Sequence, residues 1–526
     1  MHINRRGLLR LGGGLVAGAA LASGCQSQPL GNGGGSSGST GRLLRSAGPA
    51  PQPFQVPLPV PPVLKPVRSD ATTDYYEITE SVGSARIVPG RATTIWGYNG
   101  TFPGPTVVTR RGRAAAVLHR NRLPVPVVVH LHGGVIPPGD DGYPTHLVLP
   151  EGGASATGAH AGHAGHGRSA VSGNIAQGSR TYRYPMDQNA ATLWYHDHRM
   201  DFTGPQVYRG LAGFHLHHDA VELALPLPSG ERDVPLMICD RAFTEDGSFH
   251  YPSRDPTLLE EAGVTDRYKD GVLGDTILVN GAPWPVLEVD AVRYRFRILN
   301  ASNARRYRLA LDPPPRSGTA FTQIGSDAGL LDRPVSHDRI DIAQAERFDV
   351  VVDFAGYPVG KEVTLRNEFG SGGTGQVMRF RVVRAARDDS AVPDRLAEVE
   401  PLDRSAASVT RTLDFDQRPA GWAINGRTFD PNRVDVSSSL GSVEIWRLNT
   451  DAHHPIHLHM GHFRVLSRNG RAPGRYDKGW KDTVDVPTGT ETEIIVRVGG
   501  YRGRYVFHCH NLEHEDMAMM GNLQVI

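Results

Sequence analysis

Along most of the chain the apolar positions come in short runs of alternating character, such as Val443 to Leu448 and Glu493 to Val498, separated by Gly, Pro and Asp turns. A period of two puts every second side chain on a buried face, the pattern of a half-buried strand. Strands this short and this often interrupted predict β-sandwich modules rather than helical ones. An internal repeat sets their number. Asn99-Gly100, Asn280-Gly281 and Asn425-Gly426 are each followed, about twenty residues later, by an apolar stretch ending in asparagine: Leu118 to Asn121, Ile298 to Asn300, and Leu448-Asn449. Three modules also suit a length of 526 residues, at roughly 150 residues per domain. The expected domains are residues 70–225, 226–390 and 391–526.

The amino-terminal pattern differs. Arg5-Arg6 in NRRGLLR precedes the apolar, glycine-rich run Leu11 to Ala22, which is short of the roughly 20 residues that span a bilayer. Residues 1–25 resemble a twin-arginine export signal, so the expected location is outside the cytoplasm, periplasmic or extracellular. Cys25 follows Leu21-Ala-Ser-Gly, a near-match to a lipoprotein cleavage box. Lipid on Cys25 would tether the mature chain to a membrane; the alternatives are ordinary cleavage and an uncleaved anchor. Residues 26–69, Gly/Ser-rich and then Pro-rich from Pro49 to Pro66, read as a disordered flexible linker followed by an extended spacer outside the fold.

Composition narrows the class. With 39% hydrophobic residues the chain can fill sizeable cores, and a formal net charge of +1 calls for neither nucleic acid nor an acidic membrane surface as partner. There are three cysteines. With Cys25 a lipid site and Cys509 a metal ligand, Cys239 is left alone as a small buried hydrophobe and no intramolecular disulfide is expected.

The chemistry lies in the histidines. In His508-Cys509-His510 an extended backbone turns Cys509 to one face and both imidazoles to the other, so one strand can serve two metal sites. On the cysteine side, thiolate, His514 and the thioether of Met519 make the soft S/N/S set of a blue-copper electron-transfer centre, with His454, across a proline-containing turn, free to complete it. On the other side stand His508 and His510 together with three more pairs in the same spacing: His130 and His132, His196 and His198, His457 and His459. Eight nitrogens suit three coppers. About 10 Å of covalent chain would join the two centres. A structural zinc site fails on ligand type, because it uses about four ligands and usually several cysteines. A lone alternating pair could be half-buried strand residues; four pairs with the cysteine motif are a strong signal.

These motifs, HLHGGVIPPGDDGYP, WYHDHRMDFT, HHPIHLHMGHF and HCHNLEHEDMAMM, resemble the multicopper oxidases, in particular the bacterial spore-coat laccase, bilirubin oxidase and phenoxazinone synthase branch. RYRFRILNASNARRY and AERFDVVVDF resemble that branch's middle domain. The resemblance implies an all-β fold of three cupredoxin-like β-sandwich domains, with a trinuclear copper cluster between domains 1 and 3. It implies four copper ions. Type 1 would be held by His454, Cys509, His514 and Met519; type 2 by His130 and His457; and the type 3 pair by His132, His196 and His510 and by His198, His459 and His508. The implied partners are dioxygen, reduced to two waters, and a small reducing substrate such as a phenol, aromatic amine or metal ion. His514 would be the substrate-side edge of the type 1 site, at the floor of an open surface pocket. Glu515 and Asp141 would relay protons; the alternative for both is surface carboxylates. A methionine axial ligand implies low to moderate potential, and Met517 and Met520 read as packing residues.

Two other functions compete with a laccase-like oxidase. Metal-ion oxidation (cuprous or manganous) in copper tolerance would be marked by a methionine-rich segment, and the nine methionines form no such cluster. A non-enzymatic scaffold has no use for eight imidazoles and a thiolate. His215-Leu216-His217-His218 mimics a fifth pair but reads as a half-exposed strand. His160, His163 and His166 sit in a Gly/Ala/Ser-rich insertion read as a mobile surface loop, with weak copper capture as the alternative. His453 and His462 flank ligand positions without matching them.

Overall fold

The computed structural model describes residues 39–48, 50–153, 174–316, 318–419 and 421–526; Cys25, the export motif and the His160–His166 segment lie outside them. Six sheets of four to seven strands form three pairs, from residues 68–218, 233–384 and 409–525. Each pair encloses its own core. Tyr76, Ile78 and Val117 of one sheet meet Val129, Leu131 and Tyr195 of the other in the first. Phe296 and Val350 meet Leu309 and Phe380 in the second. Phe415 and Trp446 meet Ile456, Phe507 and Leu523 in the third.

The three Asn-Gly pairs are one device used three times. Both residues have positive φ at every site (Asn99 56° and Gly100 66°, Asn280 50° and Gly281 80°, Asn425 51° and Gly426 71°), as tight two-residue hairpin turns require. Each asparagine Oδ1 accepts a backbone N–H at 2.8 Å, from Thr79, Met237 and Asp414 respectively. The duplicated corner fixes where each hairpin docks on the neighbouring strand.

Strand pattern then decides what faces outward. In Val129–His132, Val129 and Leu131 point into the first core, so His130 and His132 point away from it. Ala191–Asp197 pairs with it in the register Trp194↔His132 and His196↔His130, and Leu193 and Tyr195 occupy the same core. The third pair repeats the arrangement. Ile456 and Leu458 of His454–Leu458 and Phe507 and Cys509 of Gly503–Cys509 are core residues, in the register Ile456↔Cys509 and His457↔His508. Histidines therefore line the non-core faces of two sheets.

Residues 39–69 depart from the linker expectation. Arg42–Leu43 pairs in parallel with Val272–Leu273, and Leu44 and Leu58 are buried. The Pro-rich part forms no ladder of its own, yet its free N–H groups find carbonyls on the sandwiches: Phe54 to Trp284 at 2.9 Å, Leu58 to Val286 at 2.8 Å and Leu64 to Thr106 at 2.8 Å. An extended chain whose donors are met by neighbouring sheets is held as firmly as a strand.

Candidate metal centres

The histidine-bearing faces of the first and third sheet pairs meet. His130 stacks on His459 with ring centroids 3.8 Å apart, and His132 stacks on His457 at 3.7 Å. The Nε2 atoms of His198, His459 and His508 lie 3.2, 3.2 and 3.3 Å from one another. A point equidistant from the three is about 1.9 Å from each, close to the roughly 2.0 Å of a metal–imidazole bond. His510 completes a second group, its ring 5.1 Å from His132 and 5.3 Å from His196. His130 and His457 stand 5.7 Å apart at the remaining side.

The outward nitrogen of most of these rings is tied to oxygen. Nδ1 of His130 donates to the Asp141 carbonyl (2.6 Å), of His196 to the Asp197 carbonyl (2.8 Å), of His457 to the Asp482 carbonyl (2.9 Å), of His459 to the Asp141 carboxylate (2.8 Å) and of His508 to the Cys509 carbonyl (3.0 Å). His132 is reversed, with Nε2 donating to the Asp482 carboxylate at 3.0 Å. Such bonds fix the tautomer and aim the other nitrogen inward. Of those inward atoms, His130 Nε2, His132 Nδ1, His196 Nε2 and His457 Nε2 are buried without a hydrogen-bond partner, and both nitrogens of the His510 ring are likewise buried and unpartnered. Burying an unsatisfied polar atom costs about 1–3 kcal/mol, so converging imidazole nitrogens of this kind fit metal ions held between them. Burial, reinforced by mutual repulsion, holds the imidazoles of His130, His132, His457, His459 and His510 well below their ordinary pKa, in the neutral form that ligates.

Across the strand, the sulfur of Cys509 lies 3.3 Å from His454 Nδ1 and 3.7 Å from His514 Nδ1, and those two nitrogens are 3.2 Å apart. The Asn511 N–H points at the sulfur at 3.4 Å. Burial pushes the Cys509 thiol well above its usual pKa, so a thiolate here needs a cation beside it. Met519 is buried in the same core, its N–H donating to the His514 carbonyl and its carbonyl accepting from Cys509 N–H. The donor set of one thiolate, two imidazoles and a thioether fits copper.

Residues 402–526, 81–155 and 167–220 match models described as multicopper oxidase. The chain is 39% identical to a laccase of Bacillus stratosphericus over 89% of its own length and 98% of that protein's. The chain belongs to the multicopper oxidase family. It is also 34% identical to bilirubin oxidase of Albifimbria verrucaria, with 89% of this chain and 80% of that one covered. Among solved structures, the laccase of Pediococcus acidilactici superposes with a TM-score of 0.77 at 31% identity, covering 92% of this chain and 96% of that one. The McoA multicopper oxidase of Aquifex aeolicus gives 0.74 at 31%, covering 90% and 100%. This multicopper oxidase is thus a copper-dependent oxidoreductase that uses dioxygen, with a cupredoxin-like all-β fold.

Both expected relay carboxylates are buried, which excludes the surface reading. Glu515 lies 3.4 Å from His198 Nδ1 and 3.2 Å from His508 Nδ1; burial pushes its carboxyl up, but the imidazoles of His508 and His198 outweigh that and hold it down at about 2. Burial pushes the Asp141 carboxyl well above the usual carboxylate range.

Asp482 escaped the sequence reading. Its side chain anchors His132 and its carbonyl anchors His457, mirroring how Asp141 holds His130 and His459. Arg347 donates to both Asp482 carboxylate oxygens and spends its other donors on the Thr192, Ala345 and Asp327 carbonyls. The available signal was Lys481-Asp482, two charges just before the strand Thr483–Val486.

Two expectations are corrected. His514 is fully buried rather than at the floor of an open pocket. Trp422 stacks on it at 3.7 Å, its Nε2 donates to the Asp270 carbonyl at 3.2 Å, and Asn511 ties Asp270 to Thr40. Thr40, in the segment expected to be a linker, is part of the cover. His215 and His217 are likewise buried rather than half-exposed: Thr109 Oγ1 bonds both, at 2.8 and 2.9 Å, which accounts for them without metal. Cys239 is buried and free, Met520 packs in a neighbouring cluster, His453 pairs with Asp485, and His462 donates to the Gly133 carbonyl at 3.0 Å.

Proposed function

We propose that this laccase-like oxidase carries four copper ions, one type 1, one type 2 and two type 3, and oxidises phenols or aromatic amines. The observation that carries the reading is the strand Gly503–Cys509, whose Cys509 faces one donor set while His508, with His510 just beyond, faces the other. His454, Cys509, His514 and Met519 would hold type 1; His130 and His457 type 2; and His132, His196, His510 and His198, His459, His508 the type 3 pair. Bound copper supplies one-electron redox chemistry at the cysteine centre and dioxygen reduction at the histidine centre. The chain supplies the rest. The peptide from Cys509 to its two neighbours gives a bonded route of about 10 Å. Sandwich cores on both sides exclude water from the histidine seam. Glu515 and Asp141, within hydrogen-bond reach of His198, His508 and His459, are placed to hand protons to the oxygen being reduced.

Relatives called laccase and bilirubin oxidase support an organic donor. Export by the twin-arginine route, with or without lipid on Cys25, is proposed from the amino-terminal motif. The test of function is dioxygen uptake by the copper-loaded mature protein with a methoxyphenol, with cuprous ion as competing donor. Uptake with the phenol and no peroxide is expected. Uptake with cuprous ion alone would move the protein to metal-ion oxidation, and fewer than four coppers per chain in the active form would overturn the count.

A further inference from the structure

A cavity of about 600 Å³ opens where the three sheet pairs meet, within the roughly 300–1,000 Å³ of small-molecule sites. Val135 and Asn189 line it from the first pair, Leu330 from the second, and Met460 and Trp480 from the third. Its walls are fixed across the junctions. The Trp480 carbonyl accepts the Ala328 N–H at 3.0 Å and the Ser326 hydroxyl at 2.7 Å, while the indole packs on Leu402, Ile445 and Ile495. Gly329 approaches the first pair so closely that a Cβ there would lie 2.9 Å from the Ala190 carbonyl.

One wall is His462. Its Nε2 and the Gln188 Nε2 both donate to the Gly133 carbonyl at 3.0 Å. A ring that donates from Nε2 and is kept neutral by burial holds a lone pair on Nδ1. The charge on the lining is one-sided: Asp219, Glu398 and Glu400 outnumber Arg497. Arg497 gives both Nη atoms to Glu400, at 3.0 and 2.8 Å, so an anion would find this guanidinium already committed. Asp219 takes the Ala190 and Glu222 N–H groups at 2.9 and 2.8 Å. What stays open for recognition is an apolar and aromatic surface with one imidazole acceptor.

We propose that this cavity is a second ligand site, which takes an uncharged aromatic molecule of at least two rings whose hydroxyl or N–H donates to His462 Nδ1. The rings lie against Trp480 and Met460, since an indole and a thioether both favour aromatic contact. Because the walls come from all three sheet pairs, an occupant ties them together and stabilises the folded chain by linkage. No electron passes through this site, so it is independent of which donor the enzyme oxidises.

The experiment uses 4-hydroxybenzophenone, an electron-poor two-ring phenol that crosslinks to neighbouring C–H bonds under near-ultraviolet light. It is added to the copper-loaded full chain below neutral pH, where its hydroxyl stays protonated. Calorimetry reads affinity, peptide mass spectrometry the crosslinked positions, and melting curves the stability. Crosslinks are expected at residues 328–330 and 460–462, with a raised melting temperature. Affinity should fall on the order of tenfold for the 4-methoxy analogue and in His462→Phe, each of which removes one partner of the hydrogen bond, and 4-carboxybenzophenone should bind more weakly still. Leu330→Trp, which fills the cavity, should lose the crosslinks, and methoxyphenol turnover without the probe should stay that of the wild type in both variants. Crosslinks confined to other parts of the chain, or undiminished binding by Leu330→Trp, would overturn the site. Equal affinity for the hydroxy and methoxy compounds would overturn the donor requirement, and tighter binding of the carboxylate would overturn the charge argument.

Discussion

Replacing Asp482 with alanine separates two consequences that one carboxylate now serves. Its oxygens bond Arg347, whose guanidinium is fully buried and whose remaining donors go to backbone carbonyls. Removing one partner of a buried pair typically costs 3–5 kcal/mol, because the surviving charge is left uncompensated. Asp327, 3.9 Å from Arg347 Nη1, keeps part of the compensation, so the lower end of that range, about 3 kcal/mol, is expected. The second consequence is at His132, whose Nε2 loses its carboxylate acceptor and keeps only the Thr483 hydroxyl at 3.2 Å. Losing such an orienting bond costs 10- to 100-fold in metal affinity, or about 1.4–2.7 kcal/mol. Urea denaturation of the copper-free protein reads the first, and a copper titration followed by the absorption signal of the proposed type 3 pair, to which His132 is assigned, reads the second. If the copper-free variant loses less than about 1 kcal/mol, Asp482 is not what holds the Arg347 charge. If stability falls but copper affinity and the signal stay, the assigned role at His132 is wrong.

Cys509→Ser should abolish the blue colour and phenol oxidation while far-ultraviolet circular dichroism stays that of the wild type; a colourless variant that still turns over phenols would sink the electron-uptake assignment. Copper removal by a chelator should lower thermal stability, since a ligand at 1,000 times its Kd contributes about 4 kcal/mol; equal melting curves for loaded and stripped protein would refute a role for the ions in joining the two histidine faces. Acid stability should carry a signature of Glu493, whose carboxyl is held down at about 2, from 4.5, by the Arg404 guanidinium, with Ser467 and Arg447 adding to it against burial. A depressed carboxylate stabilises fully above its unfolded pKa and ceases to as pH falls through the folded one. The gap between wild type and Glu493→Gln, up to about 1 kcal/mol for a pair this near the surface, should therefore close between about pH 4.5 and pH 2 in urea midpoints. A gap that persists at the acid end would contradict it.

The parts legible in the sequence are those whose signal is local. A period of two along Val129–His132 or Gly503–Cys509 is enough to split core residues from histidines, and Asn-Gly marks the repeated corner wherever it falls. The parts that were missed depend on partners far along the chain. Asp482 meets a histidine 350 positions away, and nothing in residues 39–48 announces that Thr40 lies beside Asn511. Gly/Ser and Pro richness signals chain without its own hydrogen-bond ladder, which is true of residues 39–69, but not whether other sheets supply the missing partners. The cover over His514 was lost with that segment.

The stacking of His130 on His459 and of His132 on His457 also bears on how this chain can be recombined in the laboratory. A chimera that takes residues 130–198 from one relative and 454–510 from another must match two histidine faces, two clamping aspartates and their registers at once. Residues 233–384 reach the Asp482 clamp of the seam through two side chains, Asp327 and Arg347. Exchange of that middle segment with those two side chains retained should yield working hybrids far more often than exchange of either flank alone.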